Sequence, residues 1–144
     1  MIYFYGGSFD PVTNAHIDIL KAISKKLRLN DMLMVGVANN DEKNYKTAIN
    51  YRLNMVQAMV NEKLQKYNIR VVKQENRTYK FLQDYIAQTG VTINDFTICV
   101  GEDEWKYLCA GKWVNYELLL KHFKFLVVNR DSMNEIKAPK GFNT

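Results

Sequence analysis

The residues best suited to chemistry lie near the amino terminus, in the segment YGGSFDPVTNAH at positions 5–16. Its paired glycines, Gly6 and Gly7, follow a short apolar run, and glycines let backbone N–H groups approach an anion closely. A helix predicted to begin near Asn14 would add oriented donors and a partial positive charge. The segment therefore predicts a phosphate-binding loop, and a plain strand-to-helix turn is the alternative. Neither the P-loop pattern nor the GxGxxG pattern of dinucleotide-binding proteins is present in it.

Two polar side chains follow this loop at a spacing that favours catalysis. Thr13 and His16 are three residues apart on one face of the helix start, so both can point at an anion held by the loop. A protonated histidine or a threonine hydroxyl there would stabilise charge that develops on a phosphorus atom under attack. A single histidine on a helix is more often structural, and the residues alone leave that alternative open.

The elements that must position these groups alternate along the chain. Short apolar or β-branched runs predict strands at 2–5, 32–38, 68–72, 96–100 and 123–128, and helical apolar spacing predicts helices at 16–27, 50–64, 78–88, 102–108 and 115–122. This alternation predicts an α/β fold with a Rossmann-like, doubly wound, five-stranded parallel sheet. Ligands of such sheets bind beyond the carboxyl ends of the strands. We therefore expect the chemistry near Gly6, Asn39 and Gly101, in one domain at 1–130, with 131–144 as a loop or tail.

The composition narrows the class of protein. The chain has 144 residues, 47% of them hydrophobic and 24% charged, which is typical of a globular domain. No apolar run approaches a membrane span of about 20 residues, and the amino terminus lacks a secretion signal, so we expect a cytoplasmic protein. Cys99 and Cys109 cannot form a disulfide framework, and we predict two reduced thiols in or near the core.

The formal net charge of +5 would suit a nucleic acid, a membrane surface or a phosphorylated metabolite. The densest cationic patch lies on one predicted helix, with apolar residues between its members Lys21, Lys25, Lys26 and Arg28. This pattern favours a solvated helix face over a nucleic-acid groove. We expect neither nucleic acid nor a membrane as a partner, and homo-oligomerisation is left open.

The segment GGSFDPVTNAH resembles the signature G-[ST]-FDP-x-[HT]-x-G-H of the adenylyl- and cytidylyltransferases. One position departs from it, because Ala15 stands where the signature has glycine. The resemblance implies a nucleotidyltransferase that binds ATP at Gly6, Gly7, Ser8, Phe9 and His16. It also implies that Thr13 and His16 are catalytic, with His16 stabilising the pentavalent transition state at the α-phosphorus.

A second stretch, residues 99–131, resembles bacterial nicotinate-mononucleotide adenylyltransferases, which carry G-x-D, then K-W, then a strand ending in V-x-R. Gly101, Asp103, Lys112, Trp113 and Arg130 fall at the matching positions. The resemblance implies that Gly101 and Asp103 bind ATP, with Asp103 accepting hydrogen bonds from a ribose hydroxyl, and that Trp113 and Arg130 bind the acceptor. The ring of Trp113 offers a flat face for a pyridine. On the residues alone, Trp113 would be a core aromatic and Asp103 a helix cap.

A shorter match also resembles the nicotinate-mononucleotide adenylyltransferases. Glu75 followed by Thr78-Tyr79 resembles an acidic-then-SYT segment whose backbone groups meet the nicotinate carboxylate or carboxamide, although Lys80 replaces the family's following threonine. The resemblance therefore places Thr78 and Tyr79 in the acceptor site.

The polar stretch after the second strand offers a further cation for the acceptor site. Either Lys43 or Lys46 matches a lysine that family members place near the phosphates, and the alignment does not decide between them. Arg52 and Met55 reproduce an R-x-x-M at the next helix, where Arg52 has a structural role.

The resemblance implies transfer of AMP from ATP to nicotinate mononucleotide with release of pyrophosphate, in NAD biosynthesis. Its partners would be ATP and a pyridine mononucleotide, with Mg²⁺ held mainly by substrate and water. One alternative is a phosphopantetheine adenylyltransferase, a family that shares the first loop and the following aspartate, here Asp18, but lacks the G-x-D…K-W segment. Another is a non-catalytic nucleotide-binding remnant.

A final expectation concerns the last residues. Family members carry an ISSTxxR motif that grips the ATP phosphates, and no such motif occurs in Asp131 to Thr144. The resemblance therefore implies either a truncated chain or a reduced member of the family. In both cases we expect an ATP site whose C-terminal wall is open.

Overall fold

The computed structural model describes residues 1–40 and 44–129, together with the backbone of a strand at 133–136. The strands are β1 (Ile2–Gly7), β2 (Met32–Ala38), β3 (Ile69–Gln74), β4 (Phe96–Gly101), β5 (Lys124–Val128) and β6 (Met133–Ile136). The helices are α1 (Asn14–Lys26), α2 (Ile49–Lys63), α3 (Thr78–Thr89), α4 (Glu102–Cys109) and α5 (Tyr116–His122), with a single 3₁₀ turn at Ile93–Asp95.

The strands form one sheet in the order β3-β2-β1-β4-β5-β6, in which the first five are parallel. The predicted Rossmann-like, five-stranded parallel sheet is thus confirmed. β1 lies between β2 and β4, so the strand order reverses there and a crevice opens at the carboxyl ends. The residues after β1 begin at this crevice, which is where the sequence places its glycine pair.

The sheet has one strand more than predicted. β6 pairs antiparallel with β5, with Val128 opposite Met133, so the prediction of a loop or tail throughout 131–144 was wrong for these four residues. An edge strand needs backbone pairing on one side only, and so short a segment leaves no periodic pattern in the sequence.

Helices cover both faces of the sheet, and each face has its own apolar core. Consecutive residues of β1 illustrate the division, because strand side chains alternate between faces. Tyr5 packs with Leu20 of α1 and Val56 of α2 on one side. Phe4 packs with Leu82 of α3 and Leu108 of α4 on the other. The buried runs of β2 and β4 are those of strands covered on both faces.

The structure also shows how α3 ends and where the two cysteines lie. α3 ends at a left-handed cap, in which Gly90 has φ 78°. Cys99 is buried, as predicted, but Cys109 is exposed. It ends α4, where Leu108 occupies the inward position, so the prediction of a near-core thiol there was wrong. Among the described residues, no helix has the length and apolarity that a membrane crossing requires.

Candidate active site

The loop after β1 is fixed by a buried aromatic ring. Phe9 has φ 48°, a left-handed conformation that is unusual for a bulky residue. Its side chain is only 1% exposed, and its ring centroid lies 6.0 Å from that of Tyr5 and 4.9 Å from that of His16. Burial of the ring offsets the backbone strain, so the chain turns sharply between strand and helix while its backbone faces the crevice.

α1 begins with a capping box in which His16 takes the place usually held by Glu or Gln. The backbone N–H of Thr13 donates to His16 Nδ1 over 2.9 Å, and the Thr13 hydroxyl lies 3.0 Å from the same nitrogen. Because Nδ1 accepts the backbone proton, the neutral ring carries its own proton on Nε2. Burial lowers the pKa of His16 below its usual value, so at neutral pH the imidazole is an uncharged Nε2–H donor.

Arg52 of α2 ties the loop to the neighbouring strand. Its side chain is completely buried. The guanidinium donates to the carbonyl oxygens of Ser8 (2.8 Å), Ala38 (2.7 Å) and Thr47 (2.8 Å) and lies 4.0 Å from the ring centroid of Tyr45. The structural role predicted for Arg52 is therefore confirmed. It joins the β1 loop, the end of β2 and the start of α2 into one support.

The floor between β1, β2 and β3 is built around Gln74. This side chain is 5% exposed, and its Nε2 donates to the Asn76 carbonyl over 2.9 Å. Its Oε1 is buried without a hydrogen-bond partner. A Cβ added at Gly6 or Gly36 would lie 2.8 Å from this oxygen. Both glycines are therefore required by close approach, and they let β1 and β2 close over the amide.

The carboxyl edge of the sheet carries two adjoining clefts. The larger one, of about 730 Å³, extends from the β1 loop to the start of α3 and to the segment between α4 and α5. We call it the large cleft. Its lining includes Tyr5, Gly6, Gly7, Ser8, Phe9, Asp10, Thr13, His16, Gln74, Arg77, Thr78, Glu104, Tyr107, Lys112, Trp113 and Val114.

The second cleft, of about 340 Å³, lies between the start of α1 and the ends of β4 and β5. We call it the small cleft. Its lining includes Tyr5, Ala15, His16, Asp18, Gly101, Glu102, Asp103, Glu104 and Asn129. In the part of the chain that the structure describes, three residues line both clefts, namely Tyr5, His16 and Glu104. They mark the junction where ligands of the two clefts would meet.

Most of the predicted site residues reach one of these clefts. Those expected to bind ATP divide between them, since Gly6, Gly7, Ser8 and Phe9 line the large cleft and Gly101 and Asp103 line the small one. Thr13 lines the large cleft and His16 lines both. Of the residues expected to bind the acceptor, Thr78 and Trp113 line the large cleft.

Two residues predicted in the acceptor site lie elsewhere. The Tyr79 side chain packs against the core on the α3 side of the sheet, so only its backbone could serve the cleft. Lys46 does not line either cleft, and its backbone N–H donates instead to Asp10 Oδ2. Lys43 and Arg130 lie outside the described residues.

Trp113 and Asp103 both line a cleft, and their positions show whether they also have the structural roles of core aromatic and helix cap. Trp113 is half-buried, packs against the core and lines the large cleft, so it is both a core aromatic and a cleft wall. Asp103 lies in the first turn of α4, whose N-cap position, Gly101, has no side-chain cap bond. Asp103 is therefore in the small cleft without capping the helix.

Sequence reasoning missed several lining residues. Tyr5 ends the predicted first strand and lies in the segment 5–16, but its side chain was given no role, and Gln74 lies two residues beyond the predicted third strand. Arg77 precedes α3 and was not considered, and Glu104 sits beside the matched Asp103. These residues could have been found from their positions near the carboxyl ends of strands, because parallel strands bring those ends to one edge of the sheet.

The charge of the clefts is mixed. Arg77 and Lys112 lie on the large cleft, and α3 begins there without a side-chain cap, so its first N–H groups and the helix dipole favour an anion. The small cleft carries the carboxylates Glu102, Asp103 and Glu104. Within 1–40 and 44–129, no group of three acidic, histidine or cysteine side chains is placed to hold a metal ion.

Comparison with known proteins gives a consistent family. Residues 4–142 match the cytidylyltransferase-like family model. The chain is 26% identical, over 91% of its length, to a protein of Clostridium acetobutylicum named nicotinate-nucleotide adenylyltransferase, and spans 66% of that relative. It is 30% identical, over 94% of its length, to a phosphopantetheine adenylyltransferase of Carboxydothermus hydrogenoformans, and spans 82% of it.

A solved structure supports the fold. The chain superposes with TM-score 0.72 on a Vibrio parahaemolyticus protein named nicotinate-nucleotide adenylyltransferase, at 16% identity, over 91% of this chain and 74% of that one. The family match covers both clefts and the loop between them. The predicted family is therefore confirmed: the chain belongs to the cytidylyltransferase-like family, among relatives named as adenylyltransferases.

Proposed function

We propose that this protein transfers AMP from ATP to nicotinate mononucleotide and releases pyrophosphate. The observation that carries the proposal is the position of His16, which lines both clefts. A donor nucleotide in one cleft and a phosphorylated acceptor in the other would meet at this side chain. The reaction joins two phosphate-bearing substrates, and two clefts with a shared junction suit that task.

The chemistry requires positioning more than acid–base catalysis. A mononucleotide phosphate is already an anionic nucleophile, so it can attack the α-phosphorus of ATP in line without a general base. Charge grows on the non-bridging oxygens as the attack proceeds. The Gly7–Ser8 backbone, Thr13 and the Nε2–H of His16 would stabilise it. A neutral imidazole that Thr13 already holds in one orientation needs little reorganisation as that charge develops.

ATP, as its magnesium complex, is assigned to the small cleft. Asp103 lies there at the start of α4, where its carboxylate could accept hydrogen bonds from the ribose hydroxyls. The triphosphate would extend toward the start of α1 and His16. Magnesium would be held chiefly by the phosphates and by water, since the ion keeps its hydration readily.

The acceptor is assigned to the large cleft, where two features suit nicotinate. Trp113 offers a flat ring surface for the pyridine. The uncapped first turn of α3, beside Arg77 and Thr78, provides N–H donors and positive potential for a carboxylate. Nicotinamide mononucleotide would gain less there, because its carboxamide carries no charge.

A phosphopantetheine acceptor is the second candidate, and a specific observation favours it. The relative of that name from Carboxydothermus hydrogenoformans is aligned over 94% of this chain. That acceptor also ends in a phosphate that would attack at the same junction. It has no aromatic ring, however, so it would make no use of the Trp113 face.

The experiment is an acceptor panel. The protein, ATP and Mg²⁺ are mixed in turn with nicotinate mononucleotide, nicotinamide mononucleotide and phosphopantetheine, and pyrophosphate release is measured. We expect the highest kcat/KM with nicotinate mononucleotide. A clear preference for phosphopantetheine would contradict the proposed acceptor. Silence with every acceptor, together with measurable ATP binding, would instead indicate a non-catalytic nucleotide-binding domain.

A further inference from the structure

Tyr5 occupies the central position of the crevice, yet no catalytic step described above uses it. It lies in β1 one residue before the glycine pair, with Val35 of β2 and Cys99 of β4 as its register partners. The side chain is 7% exposed, and it lines both the large and the small cleft. Among the described residues, only His16 and Glu104 share that double position.

The phenol ring of Tyr5 is held by its packing against Phe9 and the core. Its edge-on contact with Phe9, at 6.0 Å between centroids, continues to His16 through the Phe9 ring. Tyr5 also belongs to the core cluster beneath α1. The ring has little freedom to move, so the direction of its hydroxyl is set before any ligand arrives.

The hydroxyl itself is left for a ligand. No hydrogen bond joins it to another residue in the described part of the chain. The buried polar atoms without a partner there are Asp10 Oδ1, Ser24 Oγ and Gln74 Oε1. The Tyr5 hydroxyl is not one of them, which means that it opens onto the junction. A buried tyrosine usually satisfies its hydroxyl, so this one is suited to a polar group that arrives with the substrate.

The protonation state of Tyr5 also suits a donor. Burial, followed by the electrostatic effects of Glu104 and Cys99, raises the pKa of Tyr5 to about 12. The phenol therefore stays protonated throughout the neutral range. An undissociated phenol at the junction can donate to an anion, and the oxygens of the transferring phosphoryl group are the anions that pass there.

We propose that the Tyr5 hydroxyl donates a hydrogen bond to a non-bridging oxygen of the transferring α-phosphoryl group, alongside His16. The inference rests on the proposed function. It adds a donor from the strand to those of the loop and the helix, on the side of the junction nearest the sheet. Donors that strengthen as charge develops raise kcat more than they lower KM.

The test compares Tyr5→Phe with the wild type and with Tyr85→Phe. Tyr85 is a half-buried tyrosine whose ring packs on Phe96 and does not line either cleft. Steady-state kinetics use ATP with the best acceptor of the panel. We expect Tyr5→Phe to lower kcat about 100- to 1000-fold, the range for loss of one donor to a developing oxyanion, while both KM values change less than about threefold. Tyr85→Phe should match the wild type.

A second variant distinguishes a hydrogen-bond donor role of the Tyr5 hydroxyl from a purely structural role of the Tyr5 ring. A fluorinated tyrosine at position 5 keeps the ring but has a more acidic hydroxyl, so its kcat should fall at alkaline pH values where the wild type, with its phenol still protonated, keeps its rate. A kcat of Tyr5→Phe within twofold of the wild type, a loss confined to the KM for ATP, or a fluorotyrosine variant whose kcat follows the wild type at alkaline pH would each overturn the inference. A wild type that transfers AMP to no acceptor overturns the proposed function and this inference together.

Discussion

The two walls of the large cleft are built differently. The β1 loop is anchored by buried groups, with Phe9 1% exposed and Arg52 completely buried against three carbonyl oxygens. The facing wall, residues 107–114, is much more open, since Tyr107 is 50% and Val114 48% exposed. Chemistry that needs fixed donors is thus assigned to the anchored wall. Recognition of a variable acceptor is assigned to the open one.

This contrast has consequences for mutation. A change behind the anchored wall should affect folding or the rate of the chemical step. A change on the open wall should affect acceptor binding and leave the fold intact. We expect the largest effects behind the anchored wall and smaller ones on the open wall.

Arg52→Leu should lower the free energy of unfolding by about 3 to 5 kcal/mol. The substitution removes the buried donor of the Ser8, Ala38 and Thr47 carbonyls, and each carbonyl left without a partner costs about 1 to 3 kcal/mol. Urea unfolding followed by circular dichroism gives the value. Arg70→Leu, at an exposed position of β3, is the control and should change stability by less than about 0.5 kcal/mol. Equal effects of the two substitutions would contradict the anchoring role.

Gly6→Ala should cost about 1 to 3 kcal/mol, because the new methyl would press on Gln74 Oε1 at 2.8 Å. The cost should shrink in a Gln74→Ala background, which a double-mutant cycle in chemical denaturation would detect. Gly101→Ala is the control, since its nearest neighbour would be Ile19 Cδ1 at an ordinary 3.6 Å. Full additivity of Gly6→Ala and Gln74→Ala would show that the amide does not enforce this glycine.

Trp113→Ala should raise the KM for the acceptor about tenfold, equivalent to about 1.4 kcal/mol, with kcat and the KM for ATP nearly unchanged. The ring lies on the open wall, where we propose that it provides a stacking surface, and it is not one of the groups assigned to the chemical step. Initial rates over a matrix of both substrates separate the two constants. Val114→Ala, on the same wall, should change them less than twofold. A loss that falls on kcat instead would break the proposed division of labour.

The smallest expected effect is a pH dependence of stability from His16. Burial lowers its pKa in the folded state, so the unfolded chain binds the proton more readily. Stability is therefore complete above the unfolded value of about 6.5 and falls as the pH drops below it. The slope from this one group cannot exceed about 1.4 kcal/mol per pH unit. His16→Asn should flatten the curve of unfolding free energy between pH 5 and 7, and an unchanged slope would contradict the assignment.

The same contrast explains what the sequence could predict. The β1 loop was predictable because its determinants are contiguous, with Gly6, Thr13 and His16 within eleven residues. The parallel sheet followed from apolar runs of the β2 kind. Arg52 was recognisable as structural, but its contacts with Ser8 and Ala38 were not, since they depend on how α2 packs.

Other features depend wholly on tertiary position. Tyr5 and Gln74 look like ordinary strand residues until the strand order brings their ends together at the crevice. β6 is paired with β5 by backbone hydrogen bonds, and its short sequence gives no sign of the pairing. The resemblance placed Tyr79 in the acceptor site through its backbone, and only the packing of α3 shows that its side chain joins the core while Thr78 lines the large cleft.

The most direct test of the account is the rate of AMP transfer in His16→Ala. A single turnover with labelled ATP and nicotinate mononucleotide isolates the chemical step at the junction of the two clefts. The account predicts a rate at least 100-fold below the wild type, equivalent to about 2.7 kcal/mol or more, with folding intact. His122→Ala, which removes the other histidine from an exposed position, should leave the rate unchanged. A His16→Ala rate within threefold of the wild type would contradict the account.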